Sequence, residues 1–181
     1  MFIYDVDEEI SLRMLSAKDS ERLFEITDNS RSYLREWLPW VDDIKTAEDS
    51  LSFIRNGFQI YAERSGLTAG IFYKSELVGV AGFNSFDWRN KIGYIGYWIA
   101  VDYQGYGIMT RVVRALTNYA FGEFKLNRVD IRAAYENIKS QAIPKRLGFN
   151  KEGHIRQAEW LYDHYVDHLV YGMLKADWDN L

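Results

Sequence analysis

Apolar and polar residues follow two alternating rhythms along this chain. From Glu9 to Leu15, Ile10, Leu12 and Met14 alternate with polar neighbours, the period of a half-buried strand. "SAKDSERLFEITDN" then shifts to helical spacing behind a capping Ser16, with Leu23, Phe24 and Ile26 or Thr27 turned inward. "RSYLREWLPW" reads as a short helix and turn stopped by Pro39. "TAEDSLSFIRNGFQIYAERSG" carries Leu51, Phe53, Ile54, Phe58, Ile60 and Tyr61 at helical spacing and ends at Gly66, with Gly57 weakening its middle.

Period two returns in "LTAGIFYK" and "ELVGVAGFNSF", two strands joined by a tight turn near Ser75. "KIGYIGYWIAV" is apolar throughout and fits a strand buried on both faces. A helix over Ile108 to Phe121 places Val112, Val113, Leu116, Tyr119 and Ala120 on one face. "RVDIRAAY" is a further strand, "NIKSQAIPKRLG" a short helix capped by Asn137, and "GHIRQAEWL" and "HYVDHLVYGML" two last strands. The order predicts an α+β fold, an α/β sandwich with helices laid on a central sheet of about seven strands.

At 181 residues, with 48% hydrophobic and 27% charged positions and two prolines, the pattern belongs to one ordered domain spanning 1–181. The absence of cysteine removes disulfides, thiolate zinc sites and cysteine nucleophiles. A net charge of -4 argues against direct nucleic-acid binding, which needs a basic footprint. No apolar run approaches a membrane span, and "MFIYDVDEE" lacks a secretory signal, so a cytoplasmic location is expected.

The chemistry concentrates in "VDYQGYGIMT", where Gly105 and Gly107 stand between a buried strand and a helix. Such a turn exposes the unpaired N–H groups of the first helical turn, and glycine lets that backbone approach a bulky anion. The alternative is that the two glycines only shape a tight turn. The motif matches neither a Gly-Lys-Ser/Thr phosphate loop nor the six-residue dinucleotide fingerprint.

"QGYGIM" resembles the acetyl-coenzyme A signature of the GNAT N-acetyltransferases, Gln/Arg-X-X-Gly-X-Gly/Ala, with Met109 in place of the last small residue. The order and spacing of "REWLPW", "IGYWI", "GIMT", "LNRVDIRAAYENIKSQAIPKRLGF" and "EGHIRQAEWLYDHYVDHLVYGML" resemble the ribosomal-protein N-terminal acetyltransferase branch, the RimJ/RimL type. The resemblance implies a GNAT fold: a mixed, mostly antiparallel sheet, splayed at the cleft that takes acetyl-CoA. It implies that the amides of Gly105, Tyr106, Gly107, Ile108, Met109 and Thr110, opened by Gln104, hold the pyrophosphate. The backbone around Tyr97, Ile99 and Val101 would pair with the pantetheine arm, which Asn137 also meets, although a helix cap explains Asn137 equally well.

Direct acetyl transfer needs a base for the amine, a donor to the developing oxyanion and a group for the departing thiolate. The tyrosine that many relatives use as acid is replaced here by Pro144. By resemblance Ser140, one turn earlier, faces the thiolate, Glu159 is the general base, and a backbone N–H near Ile99 holds the acetyl oxygen. The bland uses are a helix hydroxyl bonded to its own backbone for Ser140 and an ion pair with Arg156 for Glu159. Pro144 also deprives the Ser140 carbonyl of its helical partner, so a kink or loosening is expected there.

Trp37, Trp40 and Trp160 serve the core or, by resemblance, the wall of the acceptor pocket. The histidines of "HYVDH" would share a strand face too far apart for a metal site, and none is expected. Arg31, Arg35 and Arg146 read as solvated surface, with a phosphate or an acidic peptide as the other use. The aromatics of the last strands fit either the core or a homodimer patch. The leading expectation is acetylation of a primary amine, a ribosomal protein's N-terminus by resemblance. Acetylation of a polyamine, amino acid or aminoglycoside is the enzymatic alternative. A CoA sensor without catalysis is the non-enzymatic one, and Pro144 gives it substance.

Overall fold

The computed structural model describes residues 2–181. One eight-stranded sheet runs in the order β1-β2-β3-β4-β5-β6-β8-β7. The strands are β1 (Ile3–Asp5), β2 (Ile10–Arg13), β3 (Leu67–Tyr73), β4 (Glu76–Asp87), β5 (Ile92–Ile99), β6 (Arg128–Ala134), β7 (Asn150–Leu161) and β8 (His164–Leu174). Every neighbouring pair is antiparallel except β5 with β6. The count exceeds the expected seven because β1, three residues long, pairs with β2 through Ile3 and Arg13. A strand that short carries too few positions to show a period.

Among the described residues, six α-helices surround the sheet: α1 (Ser20–Asn29), α2 (Arg31–Arg35), α3 (Ala47–Ala62), α4 (Ile108–Gly122), α5 (Ile138–Arg146) and α6 (Lys175–Trp178). Ser16 caps a 3-10 turn, Ala17–Asp19, in a capping box with Asp19, and α1 follows directly. Thr46 and Asp49 make the same box at the start of α3, and Gly57 stays helical, buried against Thr68. Gly66 does not end that helix. The left-handed position is Arg64 (φ 56°), with Ser65 N–H bonded to Ile60 O and Arg64 N–H to Tyr61 O. Gly66 is needed instead for close approach, since a Cβ there would stand 2.7 Å from the carbonyl oxygen of Phe83.

Alternation divides the interior into two cores. Leu67, Ala69, Ile71, Val78, Ala81 and Phe83 face α4, where Val112, Val113, Leu116 and Ala120 are fully buried. Phe72, Leu77 and Val80 face the other way, onto Leu23 and Ile26 of α1 and Ile54 of α3. β5 departs from its expected burial on both faces: Gly93 and Ile95 are buried, whereas Gly96 to Ile99 are half-exposed along an opening in the sheet.

Candidate active site

The opening follows from strand register. β5 and β6 pair only from Ile92–Ile95 to Arg128–Ile131. Beyond that, β5 continues against β4 alone and β6 against β8 alone. Ala100 N–H donates to Val78 O at 2.8 Å. Antiparallel alternation therefore turns the N–H groups of Ile99 and Tyr97 into the gap, where an extended ligand can pair with them. The strand stops at Ile99. Val101 starts a 3-10 turn and its N–H donates to Ser30 Oγ at 3.0 Å, so Val101 offers no amide to the gap.

At the head of α4 the backbone turns through Gly105 (φ 84°) and Gly107 (φ 72°, the N-cap). An L-residue in that left-handed region costs about 1–2 kcal/mol, which is why glycine stands at both. Among the described residues, none accepts a hydrogen bond from the N–H groups of Gly105 to Thr110, and a Cβ at either glycine would meet nothing within 4 Å. Buried Ile108 and Met109 anchor the turn from below, leaving its amides facing a cavity of ≈840 Å³. The helix dipole adds about 0.3–1 kcal/mol for an anion placed there.

The opposite wall is α5. Asn137 caps it, its Oδ1 accepting from Ser140 N–H at 3.1 Å, and its side chain also reaches the cavity. Buried Gln141 ties the helix to the end of β6, donating to the carbonyls of Ala134 (3.0 Å) and Tyr135 (2.6 Å) and accepting from the Tyr171 hydroxyl (3.2 Å). The helix runs unbroken through Pro144, although an interior proline costs about 3 kcal/mol. The Tyr97 hydroxyl donates to the Ser140 carbonyl at 3.0 Å, supplying the partner that Pro144 removes. This contact accounts for the absence of the expected loosening.

Glu159 lies on the hairpin of β7 and β8. Three residues of β7 (156–158) stand opposite one of β8, Asp167, in a bulge with Gln157 at φ 49°. Asp167 holds the bulge: Oδ1 accepts from Gln157 N–H and Oδ2 meets His154 Nε2, each at 2.7 Å. Glu159 stands opposite Val166 and so lies diagonally beside His168, with Oε2 2.9 Å from Nε2 and side chains 30% and 17% exposed. The partner of Glu159 is therefore His168, not Arg156. His168 sits opposite Ala134, the end of β6, so the pair stands on the β6 side of the gap. His164 turns instead to Asp163, and the two histidines of "HYVDH" serve different carboxylates.

The cavity brings together Tyr97, Ile99, Gln104, Gly105 and Gly107 with Ile108, Met109, Thr110, Asn137 and Ser140, and Trp37 lines it as well. Trp40 stands one layer back, its ring 5.9 Å from that of Trp98, which does line it. Tyr106 is 63% exposed on the outside of the turn. Glu159 and Trp160 lie on the hairpin outside the lining, Trp160 edge-on to Tyr165 at 4.8 Å. Arg146 reaches Thr110 Oγ1 at 3.4 Å beside the α4 amides. Arg31 holds the carbonyls of Val41 and Ile44, and Arg35 holds Asp42 over the Tyr162 ring.

Sequence reasoning missed three features. His168 could have been found by counting two positions across the hairpin from Glu159. The Tyr97 phenol follows from asking what replaces the amide lost at Pro144. Lys139, whose Nζ bonds Gln104 Oε1 at 3.1 Å and lies over the Tyr33 ring across the cavity, left no trace in the sequence pattern.

The sequence profile described as an acetyltransferase (GNAT) domain matches residues 9–150. YdaF of Bacillus subtilis (strain 168), whose name assigns it provisionally to the ribosomal N-acetyltransferases, is 37% identical over 99% of both chains. Among solved structures, the microcin C7 self-immunity acetyltransferase MccE, in complex with acetyl-CoA and AMP, is 30% identical with a TM-score of 0.89, covering 93% of this chain and 94% of its own. RimL, a ribosomal L7/L12 alpha-N-protein acetyltransferase in complex with coenzyme A, is 26% identical with a TM-score of 0.91, covering 96% and 98%. The profile match and the 37% identity to YdaF show that the chain belongs to the GNAT acetyltransferases, and acetyl-CoA is its donor.

Proposed function

We propose that this protein acetylates the N-terminal α-amino group of a ribosomal protein by direct attack on acetyl-CoA. The observation that supports this reading is the placing of the unpaired amides of Gly105 to Thr110 and the hydroxyl-bearing Ser140 around one cavity at the splayed strands. Relatives named for ribosomal N-acetylation, YdaF and RimL, supply the acceptor class. Acting on ribosomal proteins would place the enzyme in the cytoplasm.

In this mechanism the diphosphate lies on the α4 amides and the pantetheine arm pairs with β5 beside Tyr97 and Ile99. Glu159, partnered by His168, takes a proton from the incoming ammonium. The free amine attacks the thioester carbon, and the oxygen that gains charge is held by the Ile99 N–H. As the C–S bond breaks, the Ser140 hydroxyl donates a hydrogen bond to the thiolate, and the proton lost by the attacking nitrogen goes to the sulfur, leaving the amide and the CoA thiol. Trp37 and, behind it, Trp40 wall the acceptor side, with Trp160 at its rim.

Mass spectrometry of ribosomal proteins incubated with enzyme and acetyl-CoA tests the acceptor. A single +42 Da shift on one N-terminus is expected; thiol release with free polyamines or aminoglycosides alone would reject it. The likeness to MccE, a self-immunity enzyme crystallised with AMP, gives the small-molecule reading its place in that assay. Absence of turnover with every amine, alongside intact CoA binding, would identify a sensor.

A further inference from the structure

The family resemblance concerns the backbone of Tyr97, but its side chain leaves the strand for α5. The phenol oxygen lies 3.0 Å from the Ser140 carbonyl oxygen and 3.4 Å from Ser140 Oγ. A carbonyl can only accept, so the single phenolic proton goes to it. What remains for the Ser140 hydroxyl is a phenol lone pair at a distance long for an O–H···O bond. In a regular helix that carbonyl would take the N–H of residue 144, which as Pro144 has none.

We propose that Tyr97 is the positioning residue of the leaving-group site, its hydroxyl replacing the amide absent at Pro144 and thereby setting the orientation of Ser140. This rests on the reading that Ser140 faces the departing sulfur. Because the phenolic proton is committed to the carbonyl, Tyr97 does not compete for the role of acid. Its weak hold on Ser140 Oγ keeps that proton nearby and lets it turn to a better acceptor when the thiolate forms. Burial pushes the Tyr97 phenol above its ordinary value, so it remains a donor across the working pH range. β5 and α5, the two walls of the cleft, are thus joined at the depth where the thioester reacts.

A double-mutant cycle tests this, because Pro144→Ala returns the missing N–H. Tyr97→Phe alone is expected to lower kcat about tenfold, the worth of one hydrogen bond, with KM for the amine and CoA affinity within about twofold. Against Pro144→Ala the same change should cost less than about threefold, and the melting temperatures should show the same coupling. Tyr97→Phe that folds only alongside Pro144→Ala would support the proposal equally. Equal losses in both backgrounds, with additive melting temperatures, would overturn it. Ser140→Ala separates the two ideas: parental turnover in that variant defeats the role of Ser140 and the kcat part of the proposal. The melting coupling of Tyr97 with Pro144 independently decides the carbonyl link.

Discussion

The two sides of the cleft are made of different material. The proposed donor side is main chain: amides at the head of α4 and the free edge of β5, set by two left-handed glycines and backed by buried Ile108 and Met109. The proposed acceptor side is side chain: Glu159 and His168 on a bulged, exposed hairpin, and Trp37 on the segment between α2 and the following 3-10 turn. In the proposed reaction, backbone would recognise what every member of a family shares, a diphosphate and an amide-like arm. Side chains on an irregular hairpin would recognise what differs between members, the amine.

If this division holds, variants on each side should fail in different ways. The largest effect is expected for Glu159→Gln, which removes the base: kcat/KM should fall roughly 10²–10⁴-fold while calorimetric CoA affinity stays within about twofold. An unchanged rate would break the assignment. Gly107→Val should do the reverse. If the turn shifts to relieve left-handed strain of about 1–2 kcal/mol, its amides are displaced and CoA binding should weaken roughly 5- to 30-fold. Unaltered affinity there would show that the diphosphate lies elsewhere.

His168→Gln keeps a hydrogen-bonding group beside Glu159 but no ionisable one. A loss of roughly tenfold in kcat is expected, whereas CoA affinity should stay within about twofold. The smallest effect concerns the bulge. The Gln157 N–H, and then His154, hold the Asp167 carboxyl below the usual carboxylate range. Its folded value is depressed, so the pinning is complete above the unfolded value of about 3.9 and is lost as pH falls through the folded one. NMR shifts of the Gln157 amide should titrate in that acid window and be flat in Asp167→Asn.

The same division explains what could be read from the chain. Gly105 and Gly107 announced the donor side because their function is conformational and leaves no other residue type suitable. The caps at Ser16 and Asn137 were visible because capping is local. Gly66 misled, since close packing and a helix end place the same residue, and Arg64 had already taken the left-handed position. The pairing of Glu159 with His168 follows from a register counted back from the turn, but the bulge beyond it adds two residues to one strand, and no period records an insertion of that kind. Lys139 meeting Gln104 and Tyr33 depends on how three separate elements converge, which only tertiary packing decides.

Only four residue pairs stitch β5 to β6, yet that seam joins the first five strands to the last three. A bound donor lying along it would act as a missing strand, and hydrogen exchange in both halves should slow together when the donor is present. Since any ligand of the native state deepens its stability in proportion to the logarithm of its concentration, this enzyme's resistance to unfolding would rise and fall with the supply of its coenzyme.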